Sequence, residues 1–315
     1  MNELFPRTES LEFRGMGTDL GLLIVVRDEA EYVRATADMV SAREIYVRYE
    51  KIFSRFDPES ELSHLNASLG ESLPASREML EVVRHSLTYH KKYHGLFEPR
   101  IIAALEAAGY ARDFQQNDFT PSTTLQTVDT SRPLVEDLIV SDTTVQFRHR
   151  MDFSGIVKGY TTDKVTEFFH SRGWNDFLVD SGGDMYASGQ PFDADTWHIA
   201  IEGIHTGRLT LSLSHIAVAT SGISRRKWER DGKRFHHLIH PEHPEDFAFD
   251  VKTISVIAPS TEEADVLAKV LFIQSDEERK KMAVDHNIAA LVLYYNRGAW
   301  ISPAAKRYCS NSLQS

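Results

Sequence analysis

The sequence has almost no cysteine and no long apolar run. Its only cysteine is Cys309, which excludes a disulfide within the chain and a metal site built from several cysteines. No stretch approaches the ~18 consecutive apolar residues of a membrane-spanning helix, and residues 1–7 lack the apolar run of a signal peptide. We therefore expect a soluble, cytoplasmic protein without a membrane anchor.

Positive charge is also scarce. The 315 residues include 35 Lys and Arg against 46 Asp and Glu, which gives a formal net charge of −11. This excess of negative charge disfavours a broad nucleic-acid surface, so an anionic ligand must be met by local cations. The hydrophobic content of 42% is sufficient for a large core, in one domain or in two closely packed halves.

Strand and helix patterns are interleaved in the first third of the chain. Strand-like runs at residues 11–16 and 20–26 flank Gly17-Thr18-Asp19 and predict an antiparallel hairpin. A helix period follows at residues 29–53, and a second helix is expected at 77–93, ending at Gly95. The apolar residues predicted to form the buried face of the first helix are Val33, Ala37, Val40, Ile45 and Tyr49.

A polar, aperiodic excursion at residues 113–133 is the one plausible boundary. Beyond it, helices are expected at 157–172 and 261–273. Strands are expected at 144–149, 176–179, 185–187, 198–202, 209–213, 215–220 and 253–258. We predict a mixed α+β fold with mainly antiparallel sheets flanked by helices, as a single domain (1–315) with possible halves at about 1–112 and 134–315.

The segment at residues 151–160 has the character of a phosphate site. Gly155 and Gly159 would allow backbone to approach a ligand, the following helix offers free N–H groups, and Lys158 adds a positive charge. The alternative is an ordinary strand-to-helix turn with a solvated lysine. Gly182 and Gly183 raise the same choice between a site and a tight hairpin.

A basic segment and a group of histidines follow. The six cations between Arg225 and Arg234 would either face a polyphosphate or form a solvated surface. The histidines are His236, His237, His240 and His243. Pro241 and Pro244 interrupt any helix that would align them for zinc, so one catalytic or ligand-facing histidine is favoured.

Asp265 and Lys269 are four residues apart on an amphipathic pattern and should face the same way. An exposed ion pair is the simplest interpretation of this spacing. A ligand-facing pair is the alternative.

In their order, these segments resemble the signature blocks of the FAD:protein FMN transferase family, over about residues 14–296. The blocks are Met16-Gly17-Thr18, Ser60-Glu61-Leu62-Ser63 with Asn66, Gly95-Leu96-Phe97-Glu98-Pro99, residues 155–160, Gly182-Gly183-Asp184, Thr220-Ser221-Gly222, Asp231-Gly232, His237-Leu238-Ile239-His240-Pro241 and Ala264-Asp265. The resemblance implies an ApbE-like fold with two intimately packed halves.

The resemblance also implies FAD as substrate and Mg²⁺ across its pyrophosphate. Positions matching the flavin contacts are Met16, Phe56, Leu96, Phe97, Glu98, Asp152, Lys158 and Ile239. The metal positions are the Gly155 carbonyl, Asp265 and Lys269. A Ser or Thr hydroxyl of an acceptor flavoprotein would take FMN and release AMP, with His237 as general base and Lys158 stabilising charge.

Departures from the family pattern are concentrated at the chemistry. His240 replaces an aspartate, residues 242–244 replace a polar run, Glu98 replaces an aspartate, and Lys269 replaces a metal-ligating threonine. An ammonium group cannot ligate Mg²⁺. Two alternatives to transfer therefore remain: an FAD-binding protein that has lost transfer, or a pyrophosphatase that converts FAD to FMN and AMP.

Overall fold

The computed structural model describes residues 5–112, 114–121, 132–201, 209–224, 226–296 and 298–310. Its helices are α1 (Glu29–Phe53), α2 (Glu61–Ala67), α3 (Arg77–Lys92), α4 (Ile102–Ala108), α5 (Leu134–Asp137), α6 (Val157–Ser171), α7 (Thr261–Ile273) and α8 (Asp276–Asp285). The strands are β1 (Arg7–Gly15), β2 (Thr18–Val26), β3 (Ser72–Pro74), β4 (Leu138–Val140), β5 (Thr144–Phe147), β6 (Phe177–Asp180), β7 (Asp184–Ser188), β8 (Trp197–Ala200), β9 (Thr210–Leu213), β10 (Ile216–Gly222), β11 (Lys227–Arg230), β12 (Lys233–His236), β13 (Val251–Ala258), β14 (Ala289–Tyr294) and β15 (Ala299–Ile301).

One large sheet organises the described residues. Its eight strands lie in the order β1-β2-β6-β7-β10-β13-β14-β15, and every neighbouring pair is antiparallel. Helices α1, α6 and α7 pack against this sheet and one another, while β8 and β9 contribute to a separate apolar cluster with Val25 and Leu178. The predicted mixed, mainly antiparallel α+β class is confirmed.

The predicted helices and hairpin agree closely with the structure because their local signals are strong. Ser260 caps α7 by accepting from Glu263 N, and Asp28 caps α1 in the same way. Met16 and Gly17 form the β1–β2 turn with φ of 50° and 70°, the left-handed values that a two-residue hairpin requires. The turn places Met16 at the edge of the pocket described below.

The predicted buried face of α1 is confirmed at Tyr49, which is buried, and is wrong at its other four residues. Val33 and Val40 are 61% and 48% exposed, Ala37 is also exposed, and Ile45 is only half-buried. Asp38 points inward instead, because its carboxylate accepts from Arg172 Nε and Trp174 Nε1 at 2.8 and 2.9 Å. The residues actually buried are Ala35, Asp38, Met39, Ala42, Tyr46, Tyr49 and Phe53.

The other predicted bounds differ by a few residues, since strand ends carry weaker signals. The strand expected at 144–149 ends at Phe147, and part of the one expected at 198–202 lies outside the described residues, as does most of the 113–133 excursion. Strands from both sides of that excursion pair in the large sheet, through β2 and β6. No helix among the described residues is long and apolar enough to cross a membrane.

Candidate active site

A pocket of about 450 Å³ brings together segments that are far apart in sequence. The predicted site residues that line it are Met16, Phe56, Leu96, Phe97, Glu98, Asp152, Gly155, Lys158, His237, Ile239 and Lys269. Asp265 does not line the pocket, but it lies directly behind Lys269. The twelve predicted residues therefore occupy one region of the molecule, although their contacts with a ligand stay a prediction.

The start of α6 is fixed by backbone bonds of the preceding turn. The carboxylate of Asp152 accepts a hydrogen bond from Ser154 N at 2.7 Å. The backbone N–H of Asp152 donates to the Pro99 carbonyl at 2.8 Å. Gly155 faces the pocket, where a side chain would meet Phe97 at 3.4 Å and the stem of Lys269 at 3.6 Å. This turn places Lys158 in the first turn of α6, where the residue lines the pocket.

Gly159 has a different role from the one predicted. A Cβ there would stand 2.6 Å from the Cα of Glu262, so the glycine allows α6 to approach the backbone of α7, not a ligand. Asp163, one turn later, accepts from Thr261 N at 2.7 Å and from Glu262 N at 2.9 Å. Burial raises the pKa of Asp163 to about 6. Together, Gly159 and Asp163 join the helices that carry Lys158 and Lys269.

Four charged side chains, which we call the charged cluster, lie at one side of the pocket: two lysines line it, and two aspartates lie behind them. Lys158 binds Asp184, and Lys269 binds Asp265. Both carboxylates are almost completely buried, at 0% and 1% exposure, while each lysine side chain is 20% exposed. The solvated-lysine and exposed-pair interpretations are therefore wrong for these residues.

The charges of the cluster act on one another. Burial alone would lower the pKa of Lys158, but the carboxylates of Asp184 and Asp265 outweigh burial and raise it, so the ammonium stays charged. Burial and the charge of Asp184 raise the pKa of Asp265, and the two ammonium groups oppose that effect. Asp184 Oδ1 and Asp265 Oδ2 make no hydrogen bond with any residue that the structure describes.

The 180–184 segment is both a tight hairpin and part of the pocket wall. Gly182 and Gly183 have φ of 70° and 100°, and Asp180 accepts from Gly183 N at 2.8 Å. A Cβ at Gly182 would overlap Thr18, so only glycine fits beside that residue. The turn delivers Asp184 to the first position of β7, where it meets Lys158.

Of the four histidines, only His237 lines the pocket. Its Nδ1 lies 3.3 Å from the Arg226 carbonyl, which fixes a tautomer with Nε2 free to accept a proton. Burial and the charge of Arg226 lower the pKa of His237 well below its usual range, so the ring is neutral at pH 7. His236 instead contacts the Ala248 carbonyl at 3.1 Å among aromatic rings.

The zinc interpretation of the histidines gains no support from the described residues. The possible ligand atoms of His243, Glu245 and Asp246 lie within 4.8 Å of one another, but all three residues are exposed and outside the pocket. His240 stacks near His243 instead of converging on His237. Of the basic segment, Arg226 lines the pocket, while Arg225 lies outside the described residues.

Three rings form a second part of the pocket, which we call the aromatic cluster: Phe56, Tyr110 and Phe114. Tyr110 lies 5.8 Å from Phe56 and 6.2 Å from Phe114, measured between ring centroids. The Arg55 guanidinium covers both Phe56 and Tyr110, and its Nε is 3.0 Å from Asp152 Oδ2. Arg55 and Tyr110 were missed by sequence reasoning, because nothing local links them to Asp152.

Glu98 reaches the pocket only through its backbone. Its side chain is 0% exposed and is held by Arg100 through Nε at 2.9 Å and Nη2 at 2.7 Å. Arg100 also binds Asp137 at 2.7 Å. The carboxylate of Glu98 is therefore a structural anchor for the 96–98 segment, and it has no oxygen available for a ligand.

The residues predicted to hold Mg²⁺ fit that ion poorly. The Gly155 carbonyl and Asp265 offer oxygen, the donor type that Mg²⁺ prefers, but Lys269 offers only N–H donors. Its ammonium also already binds one oxygen of Asp265. The other oxygen, Asp265 Oδ2, is buried and has no hydrogen-bond partner among the described residues.

Known proteins share both the sequence pattern and the fold. Residues 16–292 match the model of the ApbE family, so the chain belongs to that family. A Haemophilus influenzae relative named FAD:protein FMN transferase is 23% identical over 81% of this chain and 78% of its own length. A Treponema pallidum relative of the same name is 27% identical over 73% and 69%.

A solved structure gives the same result for the fold. The ApbE protein of Thermotoga maritima superposes with a TM-score of 0.80 at 22% identity, covering 96% of this chain and 99% of that one. The expected ApbE-like fold is confirmed.

Proposed function

We propose that this chain transfers FMN from FAD to a Ser or Thr hydroxyl of an acceptor protein and releases AMP. The observation that carries the proposal is the position of His237, a neutral histidine in the same pocket as the two ammonium groups of the charged cluster. The relatives' name, FAD:protein FMN transferase, supports the same substrate and reaction.

The proposed step forms one P–O bond and breaks another. The acceptor hydroxyl attacks the phosphorus on the FMN side of the pyrophosphate, and its proton passes to His237 Nε2. The bond to the bridging oxygen breaks, and AMP leaves with that oxygen. Lys158 and Lys269 line the pocket and would stabilise the negative charge that gathers on both phosphates.

The aromatic cluster supplies the complementary surface. Phe56, Tyr110 and Phe114 offer flat apolar faces of the kind that suits a flavin ring. Mg²⁺ stays a prediction of the resemblance. The acceptor's identity and a cytoplasmic location also stay predictions.

The proposal is tested by incubating the purified protein with FAD and an acceptor domain that carries a Ser or Thr beside small residues. We expect flavin fluorescence on the acceptor band of a denaturing gel. His237→Gln should slow labelling by about 10²–10⁴-fold, the usual contribution of a general base. His243→Gln, an exposed residue of the same segment, is the matched control and should label at the wild-type rate.

The same assay separates the alternatives. Release of AMP without labelled acceptor would show a pyrophosphatase. Tight FAD binding with neither product would show a binding protein without transfer activity. Equal labelling by wild type and His237→Gln would remove His237 from the mechanism.

A further inference from the structure

The charged cluster has an order from the pocket inward. Lys158 and Lys269 line the pocket, whereas the two carboxylates, Asp184 and Asp265, do not. Each carboxylate is bound on its pocket side by a lysine. A phosphate that enters the pocket therefore contacts the ammonium groups before the carboxylates. The same holds for a free cation.

The cluster is already neutral without an added ion. Two carboxylates face two ammonium groups, and beside them Asp180 and Arg226 add one charge of each sign. The cluster therefore gives a divalent cation no excess negative charge to bind, and its ammonium groups are the part that faces an anion in the pocket. A Mg²⁺ ion on Asp265 would also stand beside the ammonium that it displaced.

The position of Lys269 is determined by its surroundings. It is four residues after Asp265 on α7, so the two side chains share one face of that helix. The Lys269 stem passes Gly155, within van der Waals distance of the position that a Cβ would take there. Its ammonium also approaches the Asp265 backbone carbonyl at 3.4 Å. These contacts hold the Lys269 ammonium beside the Asp265 carboxylate, on its pocket side.

We propose that the Lys269 ammonium takes the place of a divalent cation, so that this chain binds the pyrophosphate of FAD without metal. This inference rests on the proposed function, because it assumes that FAD is the ligand. When the pocket is empty, Lys269 pairs with Asp265. When FAD enters, the ammonium donates to phosphate oxygens, and Asp265 remains close to the charge of Lys158.

The first experiment titrates FAD into the protein by calorimetry, with EDTA and then with Mg²⁺. Wild type should bind FAD with the same affinity in both buffers. Lys269→Met, which keeps the stem without the charge, should lose at least about tenfold in affinity in both buffers, as expected for a lost charged hydrogen bond. Lys269→Thr should bind weakly in EDTA and recover with Mg²⁺, because its hydroxyl restores an oxygen ligand.

The matched control is Lys280→Thr. Lys280 lies four residues after Asp276 and binds it at 2.8 Å, so it repeats the spacing of the Asp265–Lys269 pair outside the pocket. This variant should bind FAD as wild type does, in both buffers. A loss of affinity there would assign the Lys269 result to general destabilisation and overturn the inference.

The second experiment uses the metal alone, so it does not depend on FAD. Mn²⁺ added to the apo protein should remain free by electron paramagnetic resonance in wild type and bind one site in Lys269→Thr. Wild-type binding of Mn²⁺, or FAD binding by wild type only with Mg²⁺, overturns the inference and leaves the proposed function standing. Failure of wild type to bind FAD in either buffer overturns both.

Discussion

The charged cluster and the aromatic cluster line the same pocket but are built in opposite ways. Lys158 and Lys269 rest on carboxylates that are 0% and 1% exposed, and their helices are joined through Gly159 and Asp163. Phe56, by contrast, is 37% exposed, and its ring contacts Tyr110 and the Arg55 guanidinium. The first cluster presents charges fixed by buried carboxylates, and the second presents apolar rings, of which Phe56 is exposed and Tyr110 is buried.

This difference indicates how the two parts contribute to ligand binding. Buried ion pairs are costly to desolvate and are strongly destabilising when one partner is lost, so they hold a charge at a fixed place. Exposed rings contribute contact area and tolerate movement. We therefore expect the charged cluster to determine the rate and the affinity for the pyrophosphate, and the aromatic cluster to determine the affinity for the flavin ring.

The largest effect should come from the charged cluster. Lys158→Met should reduce FMN transfer by about 10²–10³-fold, the usual cost of removing one donor to the charge of a transition state. The measurement is the single-turnover rate of acceptor labelling. Lys164→Met, on the same helix but bound to Glu81 at 3.1 Å outside the pocket, should keep the wild-type rate.

Loss of stability could imitate this result, because Lys158→Met leaves Asp184 buried without its partner. The double variant Lys158→Met/Asp184→Asn removes both charges and should recover the melting temperature without recovering the rate. Recovery of the rate in the double variant would show that Lys158 only balances Asp184.

A smaller effect concerns His236, which adjoins His237 but lies outside the pocket. Burial lowers the pKa of His236 to about 4. As the pH falls, this histidine therefore becomes protonated in the unfolded chain before it does in the folded chain. The contribution of neutral His236 to the free energy of unfolding is fully present above about pH 6.5, the pKa of a histidine in the unfolded chain. This contribution is lost as the pH falls. Between pH 7 and pH 5, wild type should lose about 2 kcal/mol through this residue.

His236→Gln should reduce that loss, as measured by urea unfolding at the two pH values. Gln does not titrate and still offers a donor to the Ala248 carbonyl, the partner of His236. The control is His286→Gln, since His286 is exposed at the C-cap of α8. An unchanged difference between pH 7 and pH 5 in His236→Gln would contradict the prediction.

The smallest effect should come from the aromatic cluster. Phe56→Ala removes an apolar face that is already partly exposed, so FAD affinity should fall by about tenfold, or ~1.4 kcal/mol. The affinity for ADP, which lacks the flavin ring, should stay unchanged in the same calorimetric titration. Equal losses for FAD and ADP would mean that the flavin ring binds elsewhere.

The sequence predicted elements where the signal is local. The bounds of α1 and α7 follow from caps and helix period, and the β1–β2 hairpin follows from Met16 and Gly17. The buried face of α1 was mispredicted because Asp38 is turned inward by partners 134 and 136 residues away. No local pattern records such a contact.

The same limit applies to the candidate site. The segments containing Lys158, His237 and Lys269 could be selected from their residue types and order. The pairing of Lys158 with Asp184, across 26 residues, required the β6–β7 turn to be known. The contact of Arg55 with Asp152 could likewise not be predicted from the sequence, because the two residues belong to different parts of the fold.

The close contact of α6 and α7 at Gly159 has a consequence for how a ligand could travel. A Cβ at this position would stand 2.6 Å from backbone of α7, so these helices cannot separate or slide without losing their fit. We therefore do not expect the pocket wall that carries both ammonium groups to open when a ligand enters or leaves. We expect a nucleotide to enter, and the departing AMP to leave, past the ring of Phe56, which is 37% exposed, while the buried Arg55–Asp152 pair against which it packs stays in place.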